Sequence, residues 1–285
     1  MNKNMLSTSL GAIDIAYHDV GPRDAEDVIV LLHDGAYGSS ATLAWERMMP
    51  LLASRFRVIA PDLVGYGASS KVTFFDRPAQ AAHGEVVAAL LTNLGIEAPR
   101  VHAVGSSFGG SAAVTAARTR FGRPWTSAVS IGGSLGYGRN GVAFDELQRY
   151  DQSIEDARRI TGLLVEDVDQ WEAHVKERHA NGLLPGHWEA LSAARVKAPQ
   201  RNAAAAPPPL SVRLASCQAP VLFVEGEKDQ LLVRGWTEDL AAMVPNGRAI
   251  TVPGAHCPNI DRPEGVLEVV VNFVESVSSE RQVLA

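Results

Sequence analysis

A serine lies in a glycine-containing pattern that is typical of an activated nucleophile. The segment GSSFG at 105–109 has the form G-x-S-x-G, with Ser107 at its centre. An apolar run, VHAV, precedes the pattern, and a strong helix-forming segment at 111–120 follows it. In a tight turn between a strand and a helix, the serine hydroxyl projects from the sheet edge and the N–H of the next residue, Phe108, faces a developing oxyanion. We therefore predict that Ser107 is a nucleophile.

The same pattern occurs a second time, as GGSLG at 132–136, with Ser134 at its centre. The next segment, YGRNG at 137–141, is too rich in glycine to begin a helix directly after the turn. We therefore favour Ser107 over Ser134. The letters at 136–141 also spell G-x-G-x-x-G, but they do not open a strand–helix–strand unit, so they do not indicate dinucleotide binding.

Two further residues complete a set that could activate Ser107. Asp229 follows the apolar strand-like run VLFV, and His256 follows the run AITV and a proline. The chain order Ser, Asp, His is that of a catalytic triad built on an α/β sheet, and each residue lies just after a predicted strand. We predict that His256 is the general base and that Asp229 orients it.

A short loop after another apolar run, VIVLL, holds small residues that could supply a second oxyanion N–H group. The loop reads HDGA at 33–36. We expect His33 to hold this loop in place rather than to act as an acid or base.

The elements that must position these residues alternate between strand and helix patterns. Continuous apolar runs indicate strands that are buried on both faces, and the segments between them have helical spacing. This rhythm predicts a mostly parallel sheet with helices on both faces, preceded by a hairpin punctuated by Gly11. The predicted strands are 28–32, 57–60, 101–104, 128–131, 221–224 and 249–252, and the predicted helices include 41–54, 79–94 and 264–278.

The alternation of strand and helix patterns stops in the middle of the chain. Residues 142–200 have little strand-like sequence and much helical charge, and AAAAPPP at 203–209 indicates a semi-rigid linker. We predict one α/β core in two halves, 1–133 and 213–285, with a helical lid at 134–212 inserted between them.

Composition excludes several classes of protein. The 285 residues carry 26 Lys+Arg and 32 Asp+Glu, a net charge of −6, without the basic stripe that nucleic-acid binding requires. No apolar run approaches the roughly 18 residues of a membrane span, and the first 20 residues show no signal peptide. Cys217 and Cys257 are too few for a disulfide framework, and the three lid histidines have no metal-ligand spacing. We expect a cytoplasmic protein that acts on a small molecule without a metal or cofactor.

Several segments together resemble the α/β-hydrolase superfamily, across most of the chain. They are HDGAYGSSATLAW, RVIAPDLVGYGAS, VGSSFGG, GEKDQLL and GAHCPNIDRPE. Within the superfamily, VIAPDLVGYG and VGSSFGG are most similar to the meta-cleavage-product hydrolases, which break a C–C bond in vinylogous diketones from aromatic degradation. The resemblance implies an eight-stranded sheet, a homodimer or larger oligomer, and oxyanion donors at Gly35 and Phe108. It also implies that Arg178, in a lid segment that resembles the family's, contacts a substrate carboxylate.

The sequence departs from that family at positions that line its pocket. Ser106 stands where the family usually has Asn, Cys257 stands where it commonly has Trp, and the loop around Ala36 has fewer glycines and prolines. We count Ser106, Ala36 and Cys257 among the candidate substrate-binding residues. A serine at 107 argues against the aspartyl-ester chemistry of dehalogenases and epoxide hydrolases. A C–C hydrolase is our preferred interpretation. A carboxylesterase or lactonase is an alternative, and so is a non-hydrolytic ligand-binding protein on the same fold.

Overall fold

The computed structural model describes residues 1–8, 11–193 and 207–283 of the chain. The strands are β1 (Asn2–Thr8), β2 (Gly11–Val20), β3 (Asp27–Leu32), β4 (Arg57–Pro61), β5 (Arg100–Ser106), β6 (Ser127–Ile131), β7 (Val221–Gly226) and β8 (Gly247–Val252). They form one eight-stranded sheet in the order β1-β2-β4-β3-β5-β6-β7-β8. The predicted α/β class and the strand number are confirmed.

The direction of the strands also agrees with the prediction. β1 pairs with β2, and β2 with β4, in antiparallel fashion, whereas the strands from β4 to β8 run parallel to their neighbours. Thr8 and Gly11 are partners at the end of the predicted hairpin, whose connecting residues lie outside the described part. The sheet is thus mostly parallel.

Helices pack on both faces of this sheet. They are α1 (Ala41–Trp45), α2 (Met49–Leu52), α3 (Ala79–Asn93), α4 (Phe108–Thr119), α5 (Gly141–Gln148), α6 (Ile154–Leu164), α7 (Glu172–Gly182), α8 (His187–Ala193), α9 (Leu210–Ala215), α10 (Trp236–Ala241), α11 (Pro258–Asp261) and α12 (Pro263–Val283), with a 3-10 turn at Val168–Trp171. Alternate residues of β3 belong to two apolar cores. Val28, Val30 and Leu32 pack with side chains of α3, α4 and α10. Ile29 and Leu31 pack with those of α1, α2 and α12.

The predicted single helix at 41–54 is wrong, because the chain forms α1 and α2 instead. Pro50 lies in the first turn of α2. Proline has no N–H to donate to the preceding turn and its ring clashes with that turn, so a helix cannot run through this position unbroken. Proline is tolerated in the first turn of a helix, and α2 begins there.

Among the described residues, five helices, α5 to α9, lie between β6 and β7, and we call the first four, α5 to α8, the inserted helices. They occupy the region of the predicted lid, whose bounds at 134–212 stay a prediction. Part of the predicted linker at 203–209 lies outside the described residues. None of the helices in the described ranges has both the length and the apolar character of a membrane span.

The topology brings four chain segments to one edge of the sheet. The 33–36 loop follows β3, Ser107 follows β5, Asp229 follows β7, and His256 follows β8. Because β3, β5, β7 and β8 run parallel, their carboxyl ends meet at the same edge, which is where open α/β sheets place their sites.

Candidate active site

Ser107 lies in a sharp turn between β5 and α4. Its backbone has φ 53° and ψ −114°, a conformation that is costly for a residue with a side chain. The flanking glycines make the turn possible, because a β-carbon at Gly105 would clash with the carbonyl of Gly109, and one at Gly109 would clash with that of Leu32. The Ser107 N–H donates to the carbonyl of Ile131 at 2.6 Å and fixes the turn against β6.

A chain of two hydrogen bonds joins the three predicted triad residues. Ser107 Oγ lies 2.8 Å from His256 Nε2, and His256 Nδ1 lies 2.8 Å from Asp229 Oδ2. The carboxylate can only accept, so Nδ1 carries the proton and Nε2 accepts from the serine hydroxyl. The His256 and Asp229 side chains are 1% and 3% exposed, so bulk water does not compete for these bonds. The structure brings the three residues together as predicted; their catalytic roles are proposed below.

Backbone hydrogen bonds also fix the Asp229 carboxylate. Its Oδ1 accepts from the N–H groups of Leu231 at 2.8 Å and Leu232 at 3.3 Å. One oxygen therefore anchors the side chain to its own loop, and the other faces the imidazole. This division holds the carboxylate in a single orientation toward His256.

The two predicted oxyanion donors are neighbours. Gly35 and Phe108 line the same cavity as Ser107. They approach so closely that a β-carbon at Gly35 would lie 2.6 Å from Phe108 Cβ. Phe108 is the first residue of α4, so its N–H has no acceptor within the helix. The arrangement can direct two N–H groups to one point beside the serine.

Buried polar side chains hold the loop that contains Gly35. His33 Nε2 accepts a hydrogen bond from the Leu63 N–H at 2.9 Å, and His33 Nδ1 donates to the Asp34 carbonyl at 2.7 Å. The expectation that His33 has a structural role is thus supported. Tyr66 donates its hydroxyl hydrogen to the Gly35 carbonyl at 2.9 Å. These bonds connect the loops after β3 and β4 and restrict the movement of the 33–36 loop.

A cavity of about 370 Å³ opens over Ser107. The inserted helices contribute side chains to its wall, including Phe144, Leu147, Leu164 and Leu191. The walls combine apolar side chains with a small number of polar ones, which is typical of a site for a small organic molecule.

Of the residues predicted to bind substrate, the structure places only Ala36 on the cavity wall. Ser106 and Cys257 are fully buried elsewhere. Ser106 donates to Asn259 Oδ1 at 2.8 Å and lies 3.4 Å from Cys257 Sγ. Burial raises the pKa of the Cys257 thiol well above its usual range, so this group stays protonated. Both predictions are corrected: these side chains tie the end of β5 to α11 and do not contact the cavity.

The prediction that Arg178 binds a substrate carboxylate is also wrong, because its side chain is 1% exposed and does not line the cavity. Its Nη1 donates to the Tyr37 carbonyl at 3.0 Å and lies 3.6 Å from Asp34 Oδ1. Burial tends to raise the pKa of Asp34, but Arg178 and the hydrogen bond from Ser39 outweigh it and lower the pKa. Arg178 thus compensates a buried carboxylate of this protein, which explains why it does not face a ligand.

Replacing Arg178 by methionine is expected to lower the free energy of unfolding by about 3–5 kcal/mol, because removal of one partner leaves the other charge buried and unpaired. Urea denaturation of the two proteins measures this difference. Lys176→Met is the matched control on the same helix: its side chain is 65% exposed and its pair with Glu172 is a surface pair, so a change below about 1 kcal/mol is expected. Full stability of Arg178→Met would contradict the structural role.

A second buried residue of the inserted helices contacts the same region of the core. His187 Nε2 accepts the Gly38 N–H at 2.9 Å, and its Nδ1 lies 2.8 Å from the Gly65 carbonyl. Burial lowers the pKa of His187 to about 4, so the ring is neutral at pH 7 and can accept at one nitrogen while it donates at the other. Arg178 and His187 together connect the inserted helices to residues 37–38.

Three cavity residues were not identified from the sequence. Tyr66 lies within the VIAPDLVGYG segment, which was singled out only for its resemblance. His83 is in α3, and burial lowers its pKa to about 3. Arg139 is in the glycine-rich segment that was set aside when dinucleotide binding was rejected. Helical spacing of apolar residues could have placed His83 on an inward face, but no pattern marks Arg139.

Comparison with known proteins identifies relatives of the chain and structures that share its fold. A 2-hydroxy-6-oxo-2,4-heptadienoate hydrolase of Pseudomonas putida is 27% identical over 93% of this chain and 94% of its own. A Caulobacter protein named as a carbamate hydrolase is 28% identical over 93% of this chain and 97% of its own. The crystal structure of a meta-cleavage product hydrolase from Pseudomonas fluorescens superposes with a TM-score of 0.79, covering 96% of this chain and 98% of that one at 21% identity, which shows a shared fold.

A family model matches most of the chain. Residues 29–269 fit the model described as the alpha/beta hydrolase family, and this range contains Ser107, Asp229 and His256. The matched range also includes all four of the inserted helices. The sheet order, the turn at Ser107 and the named relatives are all consistent with this match. The chain belongs to the alpha/beta hydrolase family and is a hydrolase.

Proposed function

We propose that this protein is a serine hydrolase in which Ser107 is the nucleophile, His256 the general acid and base, and Asp229 the residue that orients His256. The observation that carries the proposal is the hydrogen-bonded chain from Ser107 Oγ through His256 to Asp229, of which Ser107 lines a cavity of about 370 Å³. A nucleophile, a base within hydrogen-bond reach and a third group that orients the base are the parts that nucleophilic catalysis needs.

The reaction begins with a proton transfer to His256 Nε2. In the ester reaction the proton comes from Ser107, whose Oγ attacks the substrate carbonyl. The resulting oxyanion accepts hydrogen bonds from the N–H groups of Gly35 and Phe108. His256 then returns the proton to the leaving oxygen or carbon. Water, deprotonated by His256, then attacks the acyl carbon. The bond from this carbon to Ser107 Oγ breaks, Oγ takes the proton back from His256, and the acid product leaves.

For the substrate, we propose a carboxylated dienoate or diketone of the meta-cleavage type, which is cleaved at a C–C bond. The relative from Pseudomonas putida is named for such a substrate and aligns over nearly the whole chain. Fission of a C–C bond needs protonation of a carbon. We assign this step to His256, whose Nε2 lies 2.8 Å from the Oγ of Ser107, a residue of the cavity wall.

A carboxylesterase or lactonase is the second candidate, and a specific observation favours it. Arg178, the residue expected to bind the dienoate carboxylate, is engaged with Asp34 and Tyr37. The same triad and oxyanion donors would hydrolyse a small ester or a lactone. The non-hydrolytic binding protein that the sequence left open is not retained, because the chain is a hydrolase and a binding protein would have no need of a hydrogen-bonded triad.

Labelling with a serine-reactive fluorophosphonate tests the nucleophile. We expect one adduct, which peptide mass spectrometry locates on Ser107, because only this serine hydroxyl bonds to His256 in the described residues. An adduct on Ser106 or Ser134 would overturn the assignment. A panel of an aryl ester, a lactone and a yellow ring-fission dienoate then separates the candidates: turnover of the dienoate supports C–C hydrolysis, and turnover of only the other two supports the second candidate.

A further inference from the structure

The wall of the cavity over Ser107 has an unusual distribution of charge. Among the described residues that line it, Arg139 is the single Lys, Arg, Asp or Glu. The other polar side chains are amides, hydroxyls and the imidazole of His83, whose pKa is lowered to about 3 by burial, so that it is neutral at pH 7. The cavity therefore presents one positive charge and no negative charge from these residues.

The guanidinium of Arg139 has no anionic partner among the described residues. Its central carbon lies 4.3 Å from the ring centroid of Phe144, which also lines the cavity, and it forms no ion pair within the described ranges. By contrast, Arg149, directly after α5, and Arg159, in α6, both pair with Glu146. Partial burial lowers the pKa of Arg139 without a compensating carboxylate. An arginine that is stacked on an aromatic ring keeps its edge N–H groups available for a planar anion.

The backbone around Arg139 is fixed to the loop that follows Asp229. Asn140 donates its N–H to the Leu231 carbonyl at 2.9 Å, and Val233 donates to the Gly138 carbonyl at 2.7 Å. Arg139 itself forms a backbone bridge with Leu232. The N–H groups of Leu231 and Leu232 are the ones that hold the Asp229 carboxylate. The backbone that carries Arg139 is thus bonded to the segment that holds the Asp229 carboxylate.

We propose that Arg139 determines specificity by binding a carboxylate of the substrate while the reacting carbonyl lies at Ser107. The proposal rests on the proposed hydrolase function and adds that the preferred substrates are anionic. A carboxylate is the planar anion that matches the guanidinium fork, and the cavity offers it no repulsion from acidic side chains. The role expected of Arg178 passes to a residue in the loop after β6.

The experiment compares two esters of equal acyl length, mono-4-nitrophenyl glutarate, which carries a carboxylate, and 4-nitrophenyl pentanoate, which is neutral. We expect Arg139→Gln to lower kcat/KM for the glutarate ester by about tenfold and to leave the pentanoate ester within about twofold. We expect the low end of the effect of a charge-assisted hydrogen bond, about tenfold, because Arg139 is exposed to solvent. Arg139→Lys, which keeps the charge without the fork, should recover part of the loss.

Arg149→Gln is the matched control, because it removes the same charge from a nearby surface position outside the cavity wall. We expect this variant to keep the ratio of the two kcat/KM values. If Arg139→Gln leaves the ratio of the two kcat/KM values unchanged, with or without a loss on both esters, the role of Arg139 is overturned and the hydrolase function stays intact. If the unaltered protein hydrolyses neither ester and Ser107 takes no label, the hydrolase function fails, and the proposal for Arg139 fails with it.

Discussion

Ser107→Ala is expected to lower kcat by roughly three to six powers of ten, because the members of a triad act as a unit and the loss of one removes covalent catalysis. The residual rate would come from the oxyanion donors and from binding, which remain. Initial rates with a 4-nitrophenyl ester, at enzyme concentrations high enough to detect slow turnover, measure the effect. The fold should be retained, since the substitution removes only the hydroxyl oxygen.

Ser134→Ala provides the comparison for this result. Ser134 is the centre of the second G-x-S-x-G pattern and lines the same cavity, but its side chain has no hydrogen bond to His256. We expect its kcat to stay within about fivefold of the unaltered protein. The opposite outcome, a large loss in Ser134→Ala with activity kept in Ser107→Ala, would move the nucleophile to Ser134.

Asp229→Asn is expected to lower kcat by about four powers of ten. An amide can donate toward His256 Nδ1 and so favours the tautomer with the proton on Nε2, which cannot accept from Ser107. The amide oxygen can still accept from Leu231 and Leu232, so we expect the melting temperature to change little. Steady-state rates and thermal denaturation of the same sample separate the two effects.

The control for this variant is Asp239→Asn, which removes an exposed carboxylate that accepts from the Tyr137 hydroxyl. It should leave kcat unchanged, because no contact joins Asp239 to His256. Near-normal turnover in Asp229→Asn would show that another carboxylate orients His256, and it would contradict the triad proposed here.

The sheet and the triad could be predicted because local patterns determine them. A run such as VIVLL is compatible with a strand buried on both faces, and the structure buries all five of these side chains. Asp229 and His256 could be placed near Ser107 because parallel strands bring their carboxyl ends to one edge, whatever the loops do in detail. Neither inference required knowledge of side-chain packing.

The wall of the cavity could not be predicted in the same way. Helical spacing places Arg178 on α7, but only the position of Asp34, far away in the chain, decides that the guanidinium points into the protein. Ser106 and Cys257 are adjacent to triad residues in sequence, yet their bonds to each other and to Asn259 direct them elsewhere. Arg139 is in a segment without periodicity, and its place on the cavity wall depends on the backbone bonds to residues 231–233.

The bonds from Arg178 and His187 to residues 37–38 have a consequence for protein engineering. The inserted helices are a structural support of the loop after β3, which we propose to bind the oxyanion, as well as a wall of the cavity. Exchange of these helices between homologues would therefore remove the bonds that hold residues 37–38, close to Gly35 in the chain, together with the old pocket. A chimera would need residues 34–38 from the same donor as the helices, so that the loop and its supports are inherited as one module.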